Sequence, residues 1–483
     1  MAEAPLMLGV SGCRGIVGAS LTHDVAARYA AAFAGWLRAS RPSRSAGERP
    51  RVVLARDGRA GCQMVHAAAL AGLTSGGCDV IDLGVAMTPT AGVMTDATAA
   101  DAGMILTASH NPQQWNGLKC LVRAPGASPG EADACAPDTR TAGAIVERFT
   151  RNQPAADAVP WDGIGSIMLN QTGTATHVER VIDALDEIGL AGPARDRHFR
   201  AVVDSVNGSG APGALALLEH LGCSEIVQLH GEPTGIFPHT PEPTRENLTG
   251  LAEATPAHRA AAGFAQDPDA DRLAIIDADG RYIGEEYTLV IAAIGVLGSM
   301  GDRAKGRAVC VNLSTSRMID DVAAMFGARV IRTAVGEANV VDAMKAHDAI
   351  IGGEGNGGVI WPRLTYVRDS LSAMGLTLGL LAREDKSLAE IVAEIPAYAI
   401  EKRKVDLPSK DAAKPAVEKV ARAYASATVD RQDGVRIDWL DKRAWLHVRA
   451  SNTEPIMRLI AEAPTAEESR RILDDAAAVI AGS

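Results

Sequence analysis

The sequence predicts an α/β protein of four domains: three related α/β domains with mixed sheets, then a smaller C-terminal α+β domain. Three observations lead there. The chain has 483 residues, room for three or four domains of ordinary size. One pattern recurs three times in order: a β-rich run, a polar turn, a helical stretch, then glycine and a second β-branched run. The end of the chain abandons that pattern for alternating, antiparallel-type strands.

RVVLARDGRAG from Arg51 leads to GGCDVIDLG from Gly76, RAVVDSVNGSG from Arg200 to LGCSEIVQL from Leu221, and RAVCVNLSTS from Arg307 to FGARVIRT from Phe326. Each is a βαβ unit, whose crossover helix lets parallel strands pair. VRIDWLDKRAWLHVRAS alternates like a hairpin around Asp441-Lys442, and AEESRRILDDAAAVIAG from Ala466 reads as an amphipathic last helix. The Ala/Pro/Gly-rich stretch 124–140 reads as a surface excursion and 151–163 as a linker. FPHTPEPTRENL from Phe237 and EIPAYAIEKRKVDLPSK from Glu394 are irregular breaks. The expected domains are therefore 1–158, 159–283, 284–398 and 399–483.

A hydrophobic fraction of 47% suits large cores, and a formal net charge of −11 argues against a broad nucleic-acid surface. An acidic protein can still hold anions at a local basic site. Seven scattered cysteines without a CxxC pattern fit reduced thiols, and with no signal-peptide pattern and no membrane-length apolar run the expectation is a cytoplasmic protein without a membrane partner.

Four stretches carry chemistry. ILTASHNPQQWNGLK, 105–119, puts Ser109 beside His110 after a buried-looking strand. A loop reads these residues well, because Thr, Ser, Asn and Pro end strands. A hydrolase triad reads them poorly, because adjacent side chains in extended chain point apart. FAQDPDADRLAIID from Phe264 spaces Asp267, Asp269 and Asp271 over five residues between apolar runs. Carboxylates that close repel unless a positive charge sits among them, and oxygen ligands alone suit Mg²⁺ or Ca²⁺. An EF-hand fails, with Arg272 where glycine belongs and Ala278 where glutamate belongs; an aspartyl-phosphatase DxDx(T/V) motif meets Asp271 at its Thr/Val position. A solvated acidic turn stays open. GGEGNGGVIWP from Gly352 offers close backbone approach plus Glu354 and Asn356 for hydroxyls, or a flexible turn. HVRASNTEPIMRLIAEA from His447 sets Arg449, Ser451, Asn452 and Thr453 in a short loop, suited to a phosphate or to a helix cap. Together they are the parts for phosphoryl transfer on a sugar phosphate.

In this order the motifs resemble those of the α-D-phosphohexomutases, the group of phosphoglucomutase, phosphomannomutase and phosphoglucosamine mutase. TASHNP at 107–112 resembles its phosphoserine loop, DPDADR at 267–272 its Mg²⁺ loop, GEGNGG at 353–358 its sugar-reading loop and RASNTEP at 449–455 its phosphate-binding loop. SGCRGIVG, DLGVAMTPT, FPHTPEPTRENL and TAVGEANVV support the match, which covers essentially the whole chain. The resemblance implies that the four domains surround a central cleft, that Ser109 carries the phosphoryl group and that it shares one Mg²⁺ with Asp267, Asp269 and Asp271. His110, Lys119, Arg14 and Arg272 would serve catalysis, Lys119 assisting proton transfer. Gly353, Glu354 and Asn356 would read the sugar, while Arg449, Ser451, Asn452, Thr453 and Arg458 would hold the phosphate that stays. The implied reaction moves phosphate between C6 and C1 of a hexose through a 1,6-bisphosphate, which also acts as activator. The expected enzyme is a monomer or homodimer with a mobile last domain, acting most readily on glucosamine 6-phosphate. A phosphomannomutase/phosphoglucomutase of mixed specificity, a sugar-phosphate phosphatase and a non-catalytic sugar-phosphate binding protein are the alternatives. The chain departs from many bacterial members at Gly358 and Asn356, where the GEMSGH-like form has histidine and serine, and in ARDGRAG, which stands for GRDTRxSG and reads as structural.

Overall fold

The computed structural model describes residues 5–41, 48–151, 157–451 and 455–482. The first sheet holds β1 (Met7–Gly9), β2 (Gly12–Ile16), β3 (Arg51–Arg56), β4 (Asp79–Val85), β5 (Ala102–Leu106), β6 (Trp115–Val122) and β7 (Ile167–Leu169). The second holds β8 (Arg200–Asp204), β9 (Glu225–Leu229), β10 (Ala262–Gln266) and β11 (Leu273–Asp277). The third holds β12 (Ala308–Asn312), β13 (Arg329–Thr333), β14 (Ile351–Glu354) and β15 (Gly358–Ile360). The fourth is antiparallel, from β16 (Ala399–Asp406), β17 (Thr428–Asp430), β18 (Val435–Trp439), β19 (Ala444–Ala450) and β20 (Ile456–Ala463), in the order β16-β20-β19-β18-β17.

The threefold echo is real. The orders β6-β5-β3-β4, β11-β10-β8-β9 and β15-β14-β12-β13 are one pattern: three parallel strands with an antiparallel strand beside β5, β10 or β14, which is the edge in the second and third sheets and is followed by β2 and β1 in the first. Each repeated sequence pair forms the βαβ unit β3–β4, β8–β9 or β12–β13. The turn from the inner parallel strand to its antiparallel neighbour therefore occupies the same place in all three units. Those turns are residues 107–114, 267–272 and 355–357, at the carboxyl ends of strands, where open α/β sheets bind ligands.

Two expectations need adjustment. The stretch 124–140 lies at the surface except at its middle: residues 134–137 are buried, Cys135 exchanges backbone hydrogen bonds with Val122, and its side chain packs with Cys310, Val340 and Ile360. Apolar contact outweighs the polar composition there. Strand β7 lies beyond the expected break at 158 yet pairs with β4 of the first sheet.

One apolar core runs through the second and third units, with Val181 and Leu185 of helix Gly173–Glu187 packed in the same cluster as Leu371 and Leu378 of helix Ser370–Glu384. The first and fourth units have their own clusters. Among the described residues, no helix is long and apolar enough to cross a membrane.

Candidate active site

The first two equivalent turns meet. Ser109 has φ +49°, the left-handed region that costs a side chain with a Cβ, and it is 3% exposed. Its backbone is held by a buried polar frame. Thr107 Oγ1 accepts from the Ser109 N–H at 2.8 Å and donates to Asp57 at 2.7 Å; Arg59 pairs with Asp57 at 2.9 Å and donates to the Ser109 carbonyl. Asp57 and Arg59 come from ARDGRAG, so its structural reading holds, in contact with the serine loop itself. The Ser109 hydroxyl donates to Asp267 Oδ2 at 2.9 Å, and His110 Nδ1 lies 3.3 Å from it. The hydroxyl proton goes to a carboxylate of another unit, which is not a triad arrangement.

Asp267, Asp269 and Asp271 are fully buried with carboxylate oxygens within 4.8 Å of one another. Asp267 Oδ1 accepts from the N–H groups of Asp271 and Arg272, and Asp269 Oδ2 accepts from Thr88 Oγ1 at 2.6 Å. One oxygen each on Asp269 and Asp271 has no hydrogen-bond partner among the described residues. Burial, then the charges of Asp269 and Asp271, pushes Asp267 well above the usual carboxylate range; burial and Asp271 raise Asp269. Burial also acts upward on Asp271, but Arg368, Lys119 and Arg272 hold it below that range. Unpartnered buried oxygens and mutual repulsion are what a hard cation relieves, so the residues present fit Mg²⁺.

The third turn joins through a residue to which the sequence motifs assign no part. Arg368 donates to Asp271 Oδ2 at 2.6 Å and to Glu354 Oε2 at 2.6 Å, with Glu337 3.6 Å away. Its position follows from its neighbours. Asp369 caps helix Ser370–Glu384 by accepting from the N–H groups of Leu371 and Ser372, and Ser370 Oγ donates to the Ala270 carbonyl inside the aspartate turn. An aspartate immediately before a long apolar run is a legible helix start, and it would have drawn attention to the arginine beside it. Glu354 also accepts from Asn312 at 2.9 Å and from Asn356 at 3.4 Å; burial raises it, but Arg368 and Asn312 hold it below its ordinary value. Gly353 lies at the end of β14 with φ +149°. A Cβ on Gly358 would run into the Arg368 side chain.

The other expected catalytic groups line the same cluster. Lys119 Nζ sits 3.1 Å from Glu337 and 3.4 Å from Asp271; burial opposes its charge, but these two carboxylates raise it, so it is held as a cation. His110 is lowered to about 3 by burial and by Arg272 and Arg14, which keeps its ring neutral. Arg14, on β2, reaches Asn111 Oδ1 at 3.4 Å, and Arg272 Nε lies 3.7 Å from Asp271 Oδ1.

The fourth loop forms a second group. Arg449 pairs with Asp433 at 3.1 Å and faces exposed Arg458 across β19 and β20, and Lys404 of β16 faces Arg458 on its other side. Like charges opposed across a sheet are unfavourable unless an anion shares them. The Ser451 N–H donates to the Ile456 carbonyl. Asn452 and Thr453 lie outside the described residues.

The sequence matches four family profiles in order: phosphoglucomutase/phosphomannomutase α/β/α domain I over residues 5–135, domain II over 179–280, domain III over 284–398 and the C-terminal domain over 402–479. It is 34% identical over 471 residues to a protein of Methanopyrus kandleri named probable phosphoglucosamine mutase, covering 97% of this chain and 96% of that one. It is 35% identical to a Thermococcus kodakarensis protein named phosphoglucomutase/phosphomannomutase, covering 97% of each. The crystal structure of a phosphoglucomutase/phosphomannomutase family protein from Burkholderia thailandensis superposes with TM-score 0.81 at 27% identity, over 99% of both chains.

Proposed function

The chain belongs to the phosphoglucomutase/phosphomannomutase family of phosphohexomutases, and from this premise we propose that it converts glucosamine 6-phosphate to glucosamine 1-phosphate by way of a phosphoserine at Ser109. The observation that carries the reading is the contact of the Ser109 hydroxyl with Asp267, with Arg368 tying that aspartate turn to Glu354. Those contacts put Ser109 and Glu354 in one buried cluster, which supports a phosphoryl carrier and a reader of sugar hydroxyls acting together.

Phosphorylated Ser109 gives its phosphoryl group to the free C1 oxygen of the bound hexose 6-phosphate. The bond from phosphorus to Ser109 Oγ breaks, and a bond to the sugar oxygen forms. The sugar hydroxyl's proton passes to the Glu337 carboxylate beside cationic Lys119, and the departing Ser109 Oγ takes a proton from water. The resulting 1,6-bisphosphate turns over, and the phosphate at C6 returns to Ser109 by the reverse steps. Free hexose 1,6-bisphosphate primes unphosphorylated enzyme by the same transfer. Asp267, Asp269, Asp271 and a phosphoryl oxygen on Ser109 would hold one Mg²⁺, which when bound draws charge from the moving group. Lys119, Arg14 and Arg272 add fixed positive charge, the main demand of phosphoryl transfer. Neutral His110 is a hydrogen-bonding partner of the group on Ser109. Glu354 and Asn356 take the sugar hydroxyls over the close backbone of Gly353. Arg449, Ser451, Asn452, Thr453 and Arg458 hold the phosphate that is not reacting.

A second reading is a phosphomannomutase/phosphoglucomutase of mixed specificity, which the Thermococcus kodakarensis relative favours. Phosphorus NMR decides between them. Purified protein with Mg²⁺ and a trace of hexose 1,6-bisphosphate receives glucosamine 6-phosphate, glucose 1-phosphate and mannose 1-phosphate in parallel. The fastest movement between C6 and C1 is expected with the glucosamine phosphate and none with Ser109→Ala. Steady release of inorganic phosphate instead would make the chain a phosphatase, and binding without turnover would make it a sugar-phosphate binder.

A further inference from the structure

Away from the aspartate trio, the second unit gathers Asp204, His230 and His239, whose ligand atoms lie within 4.8 Å of one another. Asp204 ends β8, His230 directly follows β9, and His239 lies in the Pro-rich stretch beyond. His230 Nδ1 is 3.1 Å from both Asp204 oxygens, and His239 Nε2 is 3.1 Å from Oδ2. The other nitrogen of His239 fixes its tautomer. Nδ1 is 2.9 Å from the Thr240 carbonyl oxygen, which only accepts, so Nδ1 carries hydrogen. In the neutral ring Nε2 is then a bare lone pair aimed at a buried carboxylate. Two acceptors that close require a positive centre between them, a proton or a metal ion. A backbone carbonyl orienting an imidazole through its far nitrogen is the usual outer support of a metal-bound histidine.

We propose that Asp204, His230 and His239 form a second metal site, for a borderline divalent cation such as Zn²⁺. Two imidazoles and one carboxylate suit Zn²⁺ rather than Mg²⁺ and leave a position for water. Solvent reaches it, since the side chains of His230 and His239 are 38% and 22% exposed while that of Asp204 is 3% exposed. The site has a mechanical consequence. The Phe237 N–H donates to Gln113 Oε1 at 2.8 Å, and Gln113 Nε2 donates to the Gly235 carbonyl at 2.6 Å. Gln113 belongs to the serine turn. The ion therefore braces segment 230–239 against the loop that carries Ser109.

The test is isothermal titration of Zn²⁺ into the full chain with excess Mg²⁺ present to fill the aspartate trio, alongside visible spectra of the Co²⁺-substituted protein. One Zn²⁺ per chain is expected, with Co²⁺ d–d bands that survive Asp267→Asn and vanish in His239→Gln and in His230→Gln. Thermal midpoints should rise with Zn²⁺ in the wild-type chain and stay fixed in both histidine variants. The proposal is overturned if the wild-type chain binds no Zn²⁺ beside Mg²⁺, a result independent of any variant's folding. It is equally overturned if a folded His230→Gln/His239→Gln chain keeps the same stoichiometry and spectrum.

Discussion

Arg368 neutralises carboxylates from two separate turns, Asp271 and Glu354, and is itself buried. Removing one partner of such a group strands the others' charge in a low dielectric. Arg368→Met is expected to lower stability by about 3–5 kcal/mol, read by urea denaturation. The same change should lower kcat/KM by roughly 10²-fold or more, since a fixed cation at the reacting centre is lost. Gly358 has a complementary role: a side chain there and Arg368 in its present position exclude each other. Gly358→His should displace Arg368 from Glu354. The expected outcome is an altered ratio of kcat/KM between glucosamine and glucose phosphates; an unchanged ratio would show that the sugar loop does not depend on Arg368.

At the scale of elements, one connection made three times supplies the cluster. The turns after β5, β10 and β14 each leave the carboxyl end of a parallel strand; the first two carry the serine and the aspartates, and the third follows Glu354, the last residue of β14. Helix Ser370–Glu384 then aligns the second and third turns. Its capping Asp369 also meets His177 at 3.3 Å, and His177 contacts Thr90 at 2.9 Å, so the cap is tied to the first two units. Asp369→Ala should cost about 2 kcal/mol, the upper end for a lost N-cap. It should also lower kcat/KM without touching substrate, because Arg368 hangs from the same turn. A variant with the stability loss but full kcat/KM would sever that link.

Over the whole molecule, the second and third units share a core, whereas the fourth has its own and meets the third through polar contacts. Arg317 N–H donates to Glu462 at 2.8 Å, Arg443 pairs with Asp321 at 2.8 Å, and Ser314 Oγ lies 2.9 Å from His447 Nδ1. Polar interfaces of this kind permit domain motion. Small-angle scattering should show a smaller radius of gyration when a hexose phosphate is added; no change would argue against closure of the fourth unit. His447 also sets a pH dependence. Its Nε2 donates to the Asp433 carbonyl, so Nδ1 accepts from Ser314, and burial lowers its pKa from 6.5 to about 4. Below pH 6.5 the unfolded chain binds this proton and the folded chain does not. Stability from this group is therefore complete above about 6.5 and lost as pH falls towards 4, on the order of 3 kcal/mol in all. His447→Gln should flatten that part of the stability profile measured by denaturation at successive pH values.

The repeated βαβ units, the terminal hairpin and helix, and the four motif loops can be read along the chain, because strand periodicity, turn residues and charge spacing are local properties. Ser109 and the three aspartates were legible for that reason: each motif lies within a few residues. How groups distant in the chain share charge depends on the folded arrangement. Thr88, Glu337 and the Asp57–Arg59 pair lie in recognisable stretches and Arg368 beside a legible helix start, but which charges each one meets is set only where the turns converge. Cys135 is buried for the same reason, since the apolar cluster it joins comes from the third unit. Coulombic interaction and burial depend on distance through space, and the folded chain alone sets that distance.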